Sequence, residues 1–140
     1  MKANVVKLFT VVALALIVSA CSGDSPTSPT GSSTASVQGT WSGTITNSEY
    51  GGRGPARVTV SQTGSSLSGT WYAMGPYGAD SGSLTGSVSG SAVSITLSPS
   101  DPTNCPTKVT AIVSGTSMSG TYAAFNCAAP LSGGVTLTKQ

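Results

Sequence analysis

From Gly39 onward the chain alternates apolar and small polar residues in short segments, with Gly or Pro between them. Period-2 patterning bounded by turn formers is the signature of half-buried β-strands. Eight segments qualify, at about 39–46, 56–62, 67–73, 83–89, 92–98, 107–114, 117–125 and 133–139. Their inward positions read Trp41, Ile45, Val58, Val60, Leu67, Trp71, Leu84, Val88, Val93, Ile95, Leu97, Val109, Val113, Met118, Tyr122, Val135 and Leu137. The outward positions are overwhelmingly Ser and Thr, and no helical periodicity appears after residue 20. The pattern predicts an all-β domain over residues 38–140.

Turn chemistry fixes part of the pairing. Gly64-Ser65, Gly90-Ser91 and Gly115-Thr116 each suit a two-residue hairpin with Gly first, the requirement of a type II′ turn. Centring the hairpins there opposes Val60 to Gly69, Val58 to Trp71, Val88 to Val93, Gly86 to Ile95, Val113 to Met118 and Val109 to Tyr122. A slip of one residue would turn every one of these side chains to the wrong face. The stretch VTVSQTGSSLSGTW (58–71) is echoed by VTAIVSGTSMSGTY (109–122). In both, and in the shorter forms around Gly43 and Gly86, a glycine sits mid-strand between two inward apolar residues. Repeated on four strands (Gly43, Gly69, Gly86, Gly120), this predicts a sheet coiled tightly enough to close on itself. The expected fold is an eight-stranded antiparallel up-and-down β-barrel, with a two-sheet β-sandwich as the alternative.

In an up-and-down barrel the three tight turns share one end, and the connections 47–55, 74–82, 99–106 and 126–132 share the other. That second end gathers Glu49, Tyr50, Arg53, Tyr77, Asp80 and Asp101. Barrel mouths are preferred ligand sites, so Tyr50, Arg53 and Tyr77 on the rim, with Trp71 and Tyr122 lying toward it, are the binding candidates. The first strand starts at the tight-turn end, so the preceding chain leaves from there.

That preceding chain has its own pattern. Lys2 and Lys7 precede an apolar run, Phe9–Val18, followed by Val18-Ser19-Ala20-Cys21. The run is short for a membrane span and has the build of a signal-peptide core. Val-Ser-Ala-Cys resembles the lipobox of bacterial lipoproteins. The resemblance implies cleavage of residues 1–20, lipid on Cys21, and a home in the bacterial cell envelope. Ser22 stands where an Asp often signals inner-membrane retention in enteric bacteria, which favours the outer membrane. Residues 21–37 are rich in Ser, Thr, Pro and Gly and read as a flexible tether, with a reach of about 20 Å.

Removing the signal leaves Arg53, Arg57, Lys108 and Lys139 against Asp24, Glu49, Asp80 and Asp101, a neutral chain. Without a basic stripe for phosphates, nucleic acid is excluded as a partner. With Cys21 carrying lipid, Cys105 and Cys127 remain in an oxidising compartment and are expected to pair. The register above puts Cys105 opposite Asn126, so a bulge next to Pro106 is expected to bring Cys127 into reach. No histidine and no second cysteine pair offers a metal site, and no cofactor motif appears. Without histidine, and with Glu49, Asp80 and Asp101 as the domain's carboxylates, general acid–base chemistry has little to work with, and no enzyme is expected.

Gly39-Thr40-Trp41 at the start of the first strand resembles the Gly-x-Trp signature shared by lipocalins, fatty-acid-binding proteins and avidins. Lys139 on the last strand is similar to the basic residue that covers that tryptophan in those families. The resemblance implies a calycin-type barrel with Trp41 and Lys139 plugging its base and a ligand in its mouth. The aromatic box and ligand-binding residues of the avidins have no matches here, so biotin is not the implied ligand. Three functions follow as expectations. The first is a lipid-anchored, non-catalytic module holding a small, mostly apolar ligand. The second is a protein-binding inhibitor of a hydrolase such as lysozyme or a protease, since lipoproteins of that kind share the plan of lipobox, tether and disulfide-bearing barrel. The third is a structural surface domain with no deep site.

Overall fold

A computed structural model describes residues 33–128 and 131–140. The signal segment, Cys21 and most of the expected tether lie outside the described residues. Eight strands follow one another: β1 (Gly39–Asn47), β2 (Arg53–Thr63), β3 (Ser66–Gly75), β4 (Gly78–Ser89), β5 (Ala92–Pro99), β6 (Thr107–Ser114), β7 (Ser117–Ala124) and β8 (Ser132–Lys139). Each pairs antiparallel with the next, and β8 returns to β1 from Trp41↔Lys139 to Asn47↔Gly133, closing the barrel. The described residues contain no helix.

The three hairpin registers read from the turns hold residue for residue, including Val58↔Trp71, Gly86↔Ile95 and Val109↔Tyr122. Gly64, Gly90 and Gly115 have φ of 60°, 57° and 59°, the left-handed conformation demanded of the first residue in these turns. Closure follows from the inward glycines. A Cβ at Gly43, Gly69, Gly86 or Gly120 would run into the carbonyl of Thr136, Thr59, Ser94 or Thr110 on the adjoining strand. Only a bare Cα allows the strands to cross this closely while coiling.

Three features differ from the sequence reading. The expected loop 74–82 is mostly strand, since Met74↔Ala79 and Gly75↔Gly78 continue the ladder to a tight turn at Pro76-Tyr77. Asp80 is therefore a strand residue of inward parity rather than a loop residue. The bulge expected beside Pro106 is replaced by a change on the opposite strand. The Phe125 N–H still donates to the Pro106 carbonyl (3.0 Å), and then Asn126 turns at φ 54°. That left-handed residue takes up the extra position, and Cys105 and Cys127 pair with Cα atoms 5.7 Å apart.

Third, the end of the expected tether belongs to the folded unit. Val37 is fully buried, and the Ala35 N–H donates to the Gly90 carbonyl (2.8 Å). Gln62, at an inward position of β2, holds this segment in place. Its Oε1 accepts from the Val37 N–H (2.8 Å), and its Nε2 donates to the carbonyls of Ala35 (3.2 Å) and Gly64 (2.9 Å). The chain from Ala35 to Val37 thereby covers the tight-turn end of the barrel.

Candidate functional site

The barrel interior divides into two halves according to side-chain size. Toward the tight turns it is filled by Trp41, Val60, Leu67, Leu84, Val88, Val93 and Val113. Trp41 is completely buried there, its indole N–H donating to the Val37 carbonyl at 2.8 Å. The Lys139 ammonium lies 5.6 Å from the Trp41 ring centroid, within range of a cation–π contact. This half is a closed plug.

Toward the long connections the inward positions are small: Ala56, Ala73, Gly82, Ala124 and Gly133. Eight strands enclose a space just wide enough for side chains to fill or for one small ligand. Where alanine and glycine replace leucine and valine, the fill is incomplete. A cavity of about 290 Å³ results, reaching from the mouth down to Met118 and Leu137. Its wall is mostly apolar, with Ile45, Val58, Ile95, Leu97, Val109 and Val135 contributing.

Two aromatic side chains enter this space beside glycines. Trp71 pairs across from Gly82, and Tyr122 across from Gly133, where an added Cβ would meet the tyrosine ring at 2.9 Å. The Tyr122 hydroxyl donates to the Thr46 carbonyl at 3.1 Å. Burial pushes its pKa up, which keeps that donor protonated. Trp71 is 8% exposed and its indole N–H is buried without a hydrogen-bond partner. Leaving such a donor unpaired costs roughly 1–3 kcal/mol.

Of the five binding candidates, Trp71, Tyr122 and Tyr77 line the cavity, while Tyr50 and Arg53 stand outside its wall. Tyr50 and Tyr77 meet on the rim as an edge-to-face pair, 5.4 Å between centroids, and are 59% and 73% exposed. Asp80 lines the mouth and is the one carboxylate among the described residues to do so. Glu49 and Asp101 are engaged locally. The Ser132 N–H and hydroxyl donate to Glu49 at 3.0 and 2.7 Å, and the Thr103 N–H and hydroxyl donate to Asp101 at 2.9 and 2.7 Å. These bonds hold both carboxyls below their ordinary pKa, the Ser132 hydroxyl leading for Glu49 and the Thr103 amide for Asp101. They fasten the β1–β2 and β5–β6 connections around the opening. Among the described residues, no cluster of His, Cys, Asp and Glu could hold a metal ion.

Sequence reasoning missed Val37, Gln62, Ala56 and Ala73. Alanine is a weak inward signal, yet Ala56 and Ala73 sit in phase with Val58 and Trp71, and that phase could have found them. A search with protein-family models matches none to this chain, and a search among curated proteins finds no relative.

Proposed function

We propose that this protein is a non-catalytic binding module that takes one small, mostly apolar molecule into the mouth half of its barrel. The observation that carries this reading is the cavity of about 290 Å³ beneath an open rim. A protein core normally closes such space, because voids forfeit dispersion contacts and apolar burial. Here the interior is filled at one end and left open at the other. Barrel closure and the Gly39-Thr40-Trp41 likeness to lipocalins, fatty-acid-binding proteins and avidins support the same reading. Neither Glu49 nor Asp101 reaches the cavity wall, which favours binding over acid–base chemistry.

The lipobox-like Val18–Cys21 supports anchoring through lipid on Cys21 in a bacterial envelope, at the outer membrane. Labelling with a radioactive fatty acid, lost in Cys21→Ser and blocked by globomycin, tests the anchor. Titrating the full-length Cys21→Ser protein with a panel of small apolar molecules tests the binding. Trp71 fluorescence is expected to respond while Trp41, sealed in the base, does not. A panel that leaves the emission unchanged would refute the carrier reading.

The exposed Tyr50–Tyr77 pair favours a second reading, a rim that docks into a hydrolase, since tyrosine and arginine dominate interface hot spots. Capture of lysozyme or a protease, abolished by Arg53→Ala with Tyr77→Ala, would support it over the carrier reading.

A further inference from the structure

Resting on the carrier reading, we infer that the ligand is a compact apolar amine, its ring-sized body in the cavity and its ammonium group on Asp80 at the mouth. Two observations carry this: where Asp80 stands, and which charges the cavity wall lacks.

Asp80 lies on β4 opposite Ala73, an inward residue that also lines the cavity. Along that strand Leu84 is buried and Gly82 and Asp80 are half-buried, whereas Ala79, Ser81 and Ser83 are exposed. This alternation puts the Asp80 side chain on the interior side of the wall, at the height of the opening. Its Oδ1 accepts a hydrogen bond from the Ser81 N–H (2.8 Å), and no ion pair reaches it among the described residues. An ionised carboxylate has about four acceptor sites, so most of its capacity is open. Glu49 and Asp101 differ, because both are taken up by their own connections and stand outside the wall.

The wall carries no opposite charge. Arg53 and Arg57 are exposed on β2, Lys108 is exposed on β6, and Lys139 is at the base over Trp41; none of them lines the cavity. Apart from Asp80, the polar side chains of the wall are threonine, asparagine and tyrosine, all uncharged. A carboxylate ligand would give up hydration with no counter-charge and pass an aspartate on entry, an unfavourable combination. A neutral molecule would gain nothing from Asp80. An ammonium group at the opening gains a counter-charge while keeping part of its hydration, and Tyr77 on the same hairpin adds an aromatic ring of the kind that attracts cations. Size limits the body. From Asp80 to Leu84 in the packed base is about 13 Å along the strand, or roughly 10 Å of depth at a tilt of about 40°. A cavity of about 150 Å³ admits benzene, so about 290 Å³ suits roughly ten to twelve non-hydrogen atoms. A bicyclic ring with a one-carbon amine arm meets both limits.

Three probes of one shape separate the possibilities: 2-(aminomethyl)naphthalene, 2-ethylnaphthalene and 2-naphthoate. They are titrated into the full-length Cys21→Ser protein by calorimetry at low and high salt. The amine is expected to bind about five- to tenfold more tightly than the ethyl compound, the worth of one charge-assisted contact at a half-exposed site. Added salt should shrink that advantage. 2-Naphthoate should bind at least tenfold more weakly than the amine. Asp80→Asn, which keeps an oxygen for the Ser81 amide, should bring the amine level with the ethyl compound and strengthen naphthoate several-fold. Glu49→Gln, altered outside the wall, should keep the preference for the amine. An amine no better than 2-ethylnaphthalene, naphthoate binding as tightly as the amine, or a preference that survives Asp80→Asn would overturn this inference and leave the carrier reading standing. Binding by none of the three to the folded protein would overturn both.

Discussion

If the mouth half of the barrel is incompletely filled, the same substitution should have opposite effects in the two halves. Ala56 and Ala111 are both inward and buried, at 8% and 2% exposure, but Ala56 lines the cavity and Ala111 does not. Ala56→Leu adds three carbons where space is open. At about 0.8 kcal/mol per buried methylene the gain is at most about 2.4 kcal/mol, and side-chain ordering takes back about 0.5–1. A net stabilisation of about 1.5 kcal/mol is expected, raising Tm by roughly 6–12 °C for a domain of this size. Ala111→Leu adds the same atoms beside Gly120, where a Cβ on the glycine would already stand 2.8 Å from that of Ala111. Overpacking there should cost about 1–3 kcal/mol. Thermal unfolding followed by circular dichroism reads both, and ligand calorimetry on Ala56→Leu should show affinity lost as stability rises. If Ala56→Leu destabilises the fold as much as Ala111→Leu, the mouth half is already packed and the reasoning fails.

Removing the Cys105–Cys127 bridge by a double serine substitution opens a loop closed over a separation of 22 residues, a loss of about 3 kcal/mol on the chain-entropy estimate. A Tm within a few degrees of the parent in the double variant would contradict that. Gln62→Ala deletes three hydrogen bonds, two of which hold Ala35–Val37 over the base, for an expected cost of about 2 kcal/mol. Hydrogen exchange should show the Val37 amide losing protection before the strand amides, and a uniform response would count against a separate cap. The Glu49 carboxyl is depressed in the folded state by its Ser132 bonds, so the latch is at full strength above the ordinary glutamate range of about 4.3 and is lost as pH falls through the lower folded value. The Ser132 amide shift should follow that titration in acid, and in Glu49→Gln the transition should vanish.

Much of the barrel was legible because three signals agreed. Alternation gave the inward set, Gly-first turns fixed three registers, and glycines repeated between inward apolar residues implied closure. Each rests on local geometry, so a single sequence carries it. Part of what escaped depends on contacts distant along the chain. Val37 sits in a Ser/Thr-rich stretch and looks unpartnered until Gln62, 25 residues later, is brought beneath it. Gln62 stands in inward phase with Val58 and Val60 but is polar, so the apolar alternation gave no reason to place it inside. The β3–β4 extension was hidden by Gly75, Pro76 and Gly78, which punctuate a loop as readily as they shape a two-residue turn. Among the site residues, Trp71 and Tyr122 followed from their phase and height on the strands. The separation of Tyr50 from Tyr77, one outside the wall and one on it, did not, because rim loops carry no period.

The two halves of the interior explain each other. An eight-stranded barrel that leaves part of its volume open must find its stability elsewhere, since every unfilled ångström of core forfeits contact. Here the base takes that role. Trp41 and its neighbours fill it, Lys139 covers the ring, and Ala35–Val37 close the end with Gln62 as the clasp. With closure secured below, the mouth can tolerate alanine and glycine at inward positions and an indole donor with no partner. On that division, substitutions in the base should change Tm with little effect on affinity at constant temperature. Those at Ala56, Trp71 or Asp80 should change which molecule is held.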